Sequence, residues 1–244
     1  MIKNRYFKAV DELQETIRNT QSEAMSEAAA MCAEAVAAGH SIHLFDTGHI
    51  IDSEIKNRAG GFNFIRSFKY GLNVDSIARI QDDLEGDKNR SMEGLAEFAL
   101  RASNVYPGDV MFIGSVSGNS ISVVDLALAA QKLGVKIVAL TSVTYTKQLN
   151  ALHSSGKKLY EINDVLIDNC APFGDAMLDV EGVDRAFIPA SGLSAAYIMW
   201  TVMAELLDLL LEKGLKPGIL GSVNYPENVQ YNIDLETLYK EKGL

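Results

Sequence analysis

The stretch that most constrains this chain runs from Val110 to Thr141. Val110-Met111-Phe112-Ile113 is a short, unbroken apolar run, as expected of a strand buried on both faces. Ile121 to Leu133 then places apolar residues at helical spacing (Val123, Val124, Ala127, Leu128, Ala130) and stops at Gly134, a residue suited to a helix C-terminus. A second buried run, Ile137-Val138-Ala139-Leu140, follows directly. Together they predict a βαβ unit, and with it a parallel sheet.

The first turn of that unit is Ser115-Val116-Ser117-Gly118-Asn119-Ser120. A helix N-terminus leaves its first amides without intrahelical partners and carries the positive end of the helix dipole, so it is a natural anion site. Gly118 lets the backbone approach a ligand closely, and the serine hydroxyls add donors. One helix cap needs one hydroxyl, whereas this turn has three serines and Asn119. The surplus points to a bound phosphate. No lysine stands in the turn and no GxxxxGK[ST] pattern occurs, which disfavours a nucleotide P-loop.

Further apolar runs at 42–45, 165–167 and 186–188 join 110–113 and 137–140 to predict a three-layer α/β/α sandwich on a five-stranded parallel sheet. Residues 4–38 read as helix, and Thr20 with Glu23 fits a capping box that would divide it in two. Another helix is predicted over Ile50–Ala59, and a further strand over Phe62–Phe68. The polar, acidic segment 72–90 reads as a loop beside the pocket. Ser191 is placed as the cap of a long helix to Leu211, apolar nearly all round and therefore a core or subunit-interface element. Asp46-Thr47-Gly48-His49 leaves the first strand and Thr141-Ser142 leaves the strand at Ile137. Both turns should lie at the carboxyl ends of the sheet, where open parallel sheets bind ligands.

Composition narrows the function classes. The 244 residues suit one large α/β domain with its own core. A net charge of −10 disfavours nonspecific nucleic-acid binding, so no nucleic-acid partner is expected. Cys32 and Cys170 match no ligand spacing and read as reduced thiols. The N-terminal residues carry no apolar signal core. The longest apolar run, Ala195 to Ala204, is too short to span a bilayer. A soluble cytoplasmic protein without a membrane partner is expected. His40 and His43 form an H-x-x-H at the entrance of the first strand, where no carboxylate or third histidine accompanies them in sequence. No metal role and no cofactor are assigned.

Strand–SxSGNS–helix–strand resembles the phosphate loop of the SIS (sugar isomerase) domain family, whose members bind phosphosugars. Asp46-Thr47-Gly48-His49, Arg58-Ala59-Gly60-Gly61, His153-Ser154-Ser155-Gly156-Lys157, Asp168-Asn169-Cys170-Ala171-Pro172, Gly174-Asp175-Ala176 and Ser222-Val223-Asn224 are similar to one uncharacterised bacterial SIS subfamily. The resemblance implies a flavodoxin-like or Rossmann-like SIS domain over 1–244, with a helical extension at 1–38 and a helical tail at 225–244. It implies a phosphorylated sugar as ligand and a homodimer or homotetramer. The implied binding residues are Gly48, His49, Ser115, Ser117, Gly118, Asn119, Ser120, Thr141, Ser142 and Ser191. Aldose–ketose isomerisation of a sugar phosphate needs a base for the proton between adjacent carbons and a group that opens the ring. Glu54 is the candidate base, and His153, ahead of His49, the ring-opening group. In the heptose-phosphate isomerase branch of the family a histidine on the last long helix serves; the stretch from Ser191 to Leu211 has none. A noncatalytic phosphosugar sensor and a sugar-phosphate ether lyase are the alternatives, although no helix-turn-helix module precedes residue 40.

Overall fold

The computed structural model of the chain describes residues 1–47, 51–56, 58–75 and 91–243. In chain order the elements are α1 (Ile2–Ala37), β1 (Ile42–Asp46), α2 (Asp52–Ile55), β2 (Ile65–Ser67), α3 (Leu95–Arg101), β3 (Val110–Gly114) and α4 (Ile121–Leu133). They continue with β4 (Lys136–Thr141), α5 (Val143–Lys147), β5 (Val165–Asp168), β6 (Ala176–Leu178), β7 (Phe187–Pro189), α6 (Ser191–Glu212) and α7 (Glu227–Lys242).

Five parallel strands form the main sheet in the order β2-β1-β3-β4-β5. Side chains alternate between its faces, as strand geometry requires. Ile42, Leu44, Val110, Phe112, Val138, Leu140, Val165 and Ile167 pack under α1 and α6. Phe45, Met111, Ile113, Ile137 and Ala139 pack under α3 and α4. The three layers therefore have two apolar seams, and the predicted sandwich is the fold.

The order 2-1-3-4-5 has a physical consequence. The chain moves outward from β1 to β2, then returns to place β3 on the other side of β1. The exit turns of β1 and β3 thus diverge to opposite faces and open a crevice between them, the usual ligand position in such sheets. Asp46 is the register partner of Gly114, so the two turns start side by side, as their place at the strand ends predicts.

Several expectations are corrected. The run 186–188 is no strand of the parallel sheet: Phe187–Pro189 pairs antiparallel with Ala176–Leu178 in a separate hairpin. There Phe187 is exposed and Ile188 has φ of 70°, which suits a bent surface ribbon better than a buried strand. The fifth strand of the sheet is Ile65–Ser67, inside the 62–68 run. The N-terminal helix is one 36-residue element. Thr20 Oγ1 donates to the Thr16 carbonyl at 2.7 Å, a back-bond within a continuing helix, so the capping box does not form. The helix expected over 50–59 is a single turn at Asp52–Ile55, closed by extended backbone at Lys56.

α6 has the length and hydropathy of a membrane span. One side of it (Ala195, Ile198, Met199, Val202, Met203, Leu206, Leu210) lies in the core with α1 and the sheet. It is the long core helix the apolar run predicts.

Candidate functional site

The serine turn leaves β3 at its carboxyl end and enters α4 through Ser120, the N-cap residue. Its shape is held from within the protein. The Gly118 amide donates to Ser115 Oγ at 3.2 Å, and the Gly118 carbonyl accepts from the Leu159 amide at 2.8 Å. Thr141 Oγ1 donates to the Val116 carbonyl at 3.1 Å, and Thr146 Oγ1 to the Ser117 carbonyl at 2.8 Å. Gly118 has φ of 55°, and a Cβ there would stand 2.7 Å from Thr141 Oγ1. Only glycine fits both conditions.

Two polar atoms of this braced turn have no partner. Asn119 Oδ1 and Ser120 Oγ are buried and without a hydrogen bond among the described residues. Ser120 makes no side-chain cap, although a serine at this position usually accepts an amide of the first turn. Buried polar groups left unpaired cost free energy, so two of them at a helix N-terminus make this turn the candidate anion site.

Beside the turn lies a cavity of about 490 Å³, lined by Phe45, Asp46, Thr47, Lys69, Tyr70, Gly71, Met92, Leu95 and Ser122. It lies at the carboxyl end of β1, and Ser122 brings the first turn of α4 to its wall. Phe45 and Tyr70 stack at 5.8 Å between centroids and make one wall aromatic. Tyr70 donates from its hydroxyl to the Ser122 carbonyl at 3.0 Å; burial first, and the Asp125 charge second, push it up to about 12. It is a neutral phenol at physiological pH. Asp46 Oδ2 accepts the Ile51 amide at 2.7 Å and the Asp52 amide at 2.8 Å, turning the chain into α2. A flat aromatic wall with carboxylate, ammonium and hydroxyl groups around it is suited to a polyhydroxylated ligand.

Comparison with known proteins gives the same frame. The SIS domain profile matches residues 5–142, more than half of the chain. The chain belongs to the SIS domain family. It is 32% identical over 242 residues to a UPF0309 protein of Oceanobacillus iheyensis, covering 97% of this chain and 96% of the relative. It is likewise 32% identical over 241 residues to a UPF0309 protein of Geobacillus kaustophilus, covering 98% of this chain and 94% of that one. Among solved structures, the phosphoheptose isomerase of Neisseria gonorrhoeae shares the fold at TM-score 0.53 and 15% identity, over 86% of this chain and 98% of that one.

In this SIS protein the expected binding residues fall into four groups. Ser115, Ser117, Gly118, Asn119 and Ser120 form the braced turn. Thr141 and Ser142 adjoin it, and their hydroxyls are engaged within the protein: Ser142 Oγ donates to the Ala171 carbonyl at 2.6 Å and accepts the Tyr145 amide at 3.0 Å. Ser191 is the first helical residue of α6 and not its cap. Asp175 caps that helix, accepting the Ser191 amide at 2.8 Å and the Ser191 hydroxyl at 2.7 Å. Gly48 and His49 lie outside the described residues, as does 76–90 of the expected loop.

Glu54 and His153 are not brought together. Glu54 is on α2; Ile55 of that helix and its N-cap residue Ile51 pack in the α1/α6 layer, and the Glu54 carboxylate pairs with Arg58 at 3.0 Å. His153 is on the other side of the sheet, against α4. The Ser155 amide donates to its Nδ1 at 3.0 Å, which places the proton of the neutral ring on Nε2. That Nε2 is buried, 3.8 Å from Asp125 Oδ1. Neither residue lines the strand-end cavity.

Lys69, Asp52 and Tyr70 were not singled out by sequence. Lys69 and Tyr70 follow a three-residue edge strand too short to carry a periodic signal, so nothing local marks them. At the opposite end of β1, Asp109 supplies the carboxylate that the H-x-x-H lacked in sequence. His43 Nε2 is 2.9 Å from Asp109 Oδ2, and His40 Nδ1 is 3.6 Å from Asp109 Oδ1. Asp109 also accepts the Ser41 and Tyr106 amides, which makes the trio a structural knot under the sheet.

Proposed function

We propose that this protein binds a phosphorylated sugar at the Ser115–Ser120 turn and interconverts its aldose and ketose forms. The observation that carries the binding half is the pair of unpartnered buried oxygens, Asn119 Oδ1 and Ser120 Oγ, at the N-terminus of a 13-residue helix beside the strand-end cavity. The phosphoryl group would take the turn's amides and hydroxyls, and the sugar would lie along the Phe45–Tyr70 wall. Membership of the SIS family and the isomerase named among its fold relatives support a sugar phosphate as the ligand class.

Proton transfer between adjacent carbons needs a carboxylate base, and Glu54 is the residue proposed for it, with His153 opening the ring. For Glu54 to act, Arg58 must give up its 3.0 Å contact when substrate arrives. A second reading, a noncatalytic phosphosugar sensor, is favoured by the placement of Glu54 and His153 on opposite layers and outside the cavity. Solvent exchange separates the two. Incubation of a panel of aldose and ketose phosphates in D₂O should give deuterium at the carbon next to the carbonyl with wild type and none with Glu54→Gln. Binding in calorimetry with no deuterium incorporation by wild type would leave the sensor.

A further inference from the structure

Lys69 follows β2 and is 71% exposed, yet its ammonium is held in place: Nζ lies 2.6 Å from Asp52 Oδ2. Asp52 is buried and also receives the Ser67 hydroxyl. The ion pair fixes Lys69 on the wall of the same cavity that Ser122 of α4 lines, and among the described residues lining it Lys69 is the one cation. A phosphomonoester carries about −1.5 to −2 charges at neutral pH. A helix N-terminus offers only about half a positive charge. The chain has a net charge of −10, and Asp46 adds a carboxylate to the cavity. The turn therefore leaves most of a phosphate's charge unmatched, and Lys69 is held on a cavity that the first turn of α4 also lines. An ammonium has three donors, so pairing with Asp52 leaves others for a ligand.

We propose that Lys69 is a second anchor for the phosphoryl group at the α4 N-terminus, its ammonium shared between Asp52 and the phosphate oxygens. The proposal rests on the reading of the turn given above. It assigns Asp52 the task of positioning: a buried carboxylate that holds a long, flexible lysine at the cavity wall before the ligand arrives. The competing role for Lys69 is only to neutralise Asp52, since a buried carboxylate without a partner is costly.

Titration with inorganic phosphate, followed by ³¹P NMR line broadening, decides between them without knowledge of the sugar. Lys69→Met should weaken phosphate by about tenfold or more, and Lys69→Arg by no more than about threefold. The double variant Asp52→Asn, Lys69→Met removes the buried carboxylate together with its partner, so it preserves net charge and spares the fold an unpaired ion. It should stay about tenfold weaker than wild type. Double-variant affinity within about twofold of wild type, with Ser120→Ala still impaired, would overturn the Lys69 proposal and leave the turn's role standing. No phosphate binding by wild type, or unchanged binding by Ser120→Ala, would remove both.

Discussion

Ser120 is the residue at which stability and ligand affinity should separate. Its hydroxyl is buried and has no hydrogen-bond partner among the described residues. Removing it deletes an unsatisfied group, so Ser120→Ala should leave unfolding free energy unchanged or raise it by up to about 1 kcal/mol. With phosphate present the order should invert, because the variant loses a donor to a charged acceptor, worth about 1.5–3 kcal/mol. Urea denaturation with and without phosphate checks both halves, and a destabilised free variant would mean the hydroxyl has a structural partner. Asp109 gives a prediction in pH. Burial alone would raise its carboxyl, but hydrogen bonds from His43 and from the Ser41 and Tyr106 amides, with the His43 charge, hold it below the usual carboxylate value. A carboxyl depressed in the folded state stabilises above its unfolded value, about 3.9, and that stability is lost as pH falls through the folded value. Asp109→Asn should cost about 2–3 kcal/mol at pH 7 and flatten the acid limb below about pH 4. Chemical denaturation across pH 2–7 reads both.

At the scale of elements, the Ser115–Ser120 turn is shaped by its neighbours more than by its own sequence. Thr141, Thr146 and Leu159 come from β4, α5 and the segment after it, and each holds a different part of the turn. Gly118→Ala would meet both a positive φ and a 2.7 Å approach to Thr141 Oγ1. It should cost about 1–3 kcal/mol and abolish phosphate binding, since relief of the clash moves the amides that face the ligand. Thermal unfolding with phosphate titration tests it, and retained affinity would mean the turn is softer than its bracing implies. At α6, Asp175→Ala removes the acceptor for the Ser191 amide and hydroxyl. A loss of about 0.5–2 kcal/mol is expected, the usual range for a helix cap.

For the whole molecule, the apolar surface left uncovered bears on assembly. Met1, Ile2 and Phe7 are exposed on the first turns of α1, and Leu193 and Leu211 on α6. Full burial on α1 begins at Leu13, and its first turns lie outside the core, where Arg5 Nη2 donates to the Asp179 carbonyl at 2.6 Å. Exposed apolar side chains gathered on helices usually mark contact surfaces. Sedimentation at micromolar concentration should give a mass that is a multiple of 26.6 kDa, with a dimer or tetramer as the expected species. Replacing Phe7 and Leu193 by glutamate should shift that mass toward the monomer.

Sequence alone determined what depends on local pattern. The strands at 110–113 and 137–140, the helix between them and its stop at Gly134 follow from apolar period and a single αL-tolerant residue. The proposal of an anion site at Ser115–Ser120 starts from hydroxyl content at a strand-to-helix turn. Tertiary structure decided what depends on partners distant in the chain. Run 186–188 has a strand's composition, but it pairs with 176–178 as a surface ribbon, a partner its own residues do not specify. Glu54 and His153 are suitable residue types, but the layer each occupies is set by which side of the sheet its element packs on, and no spacing encodes that. The hydroxyls of Thr141 and Ser142 donate to the carbonyls of Val116 and Ala171 across 25 and 29 residues, contacts that no local pattern encodes. Lys69 became a candidate only when Asp52, 17 residues earlier in the chain, held it at the cavity wall.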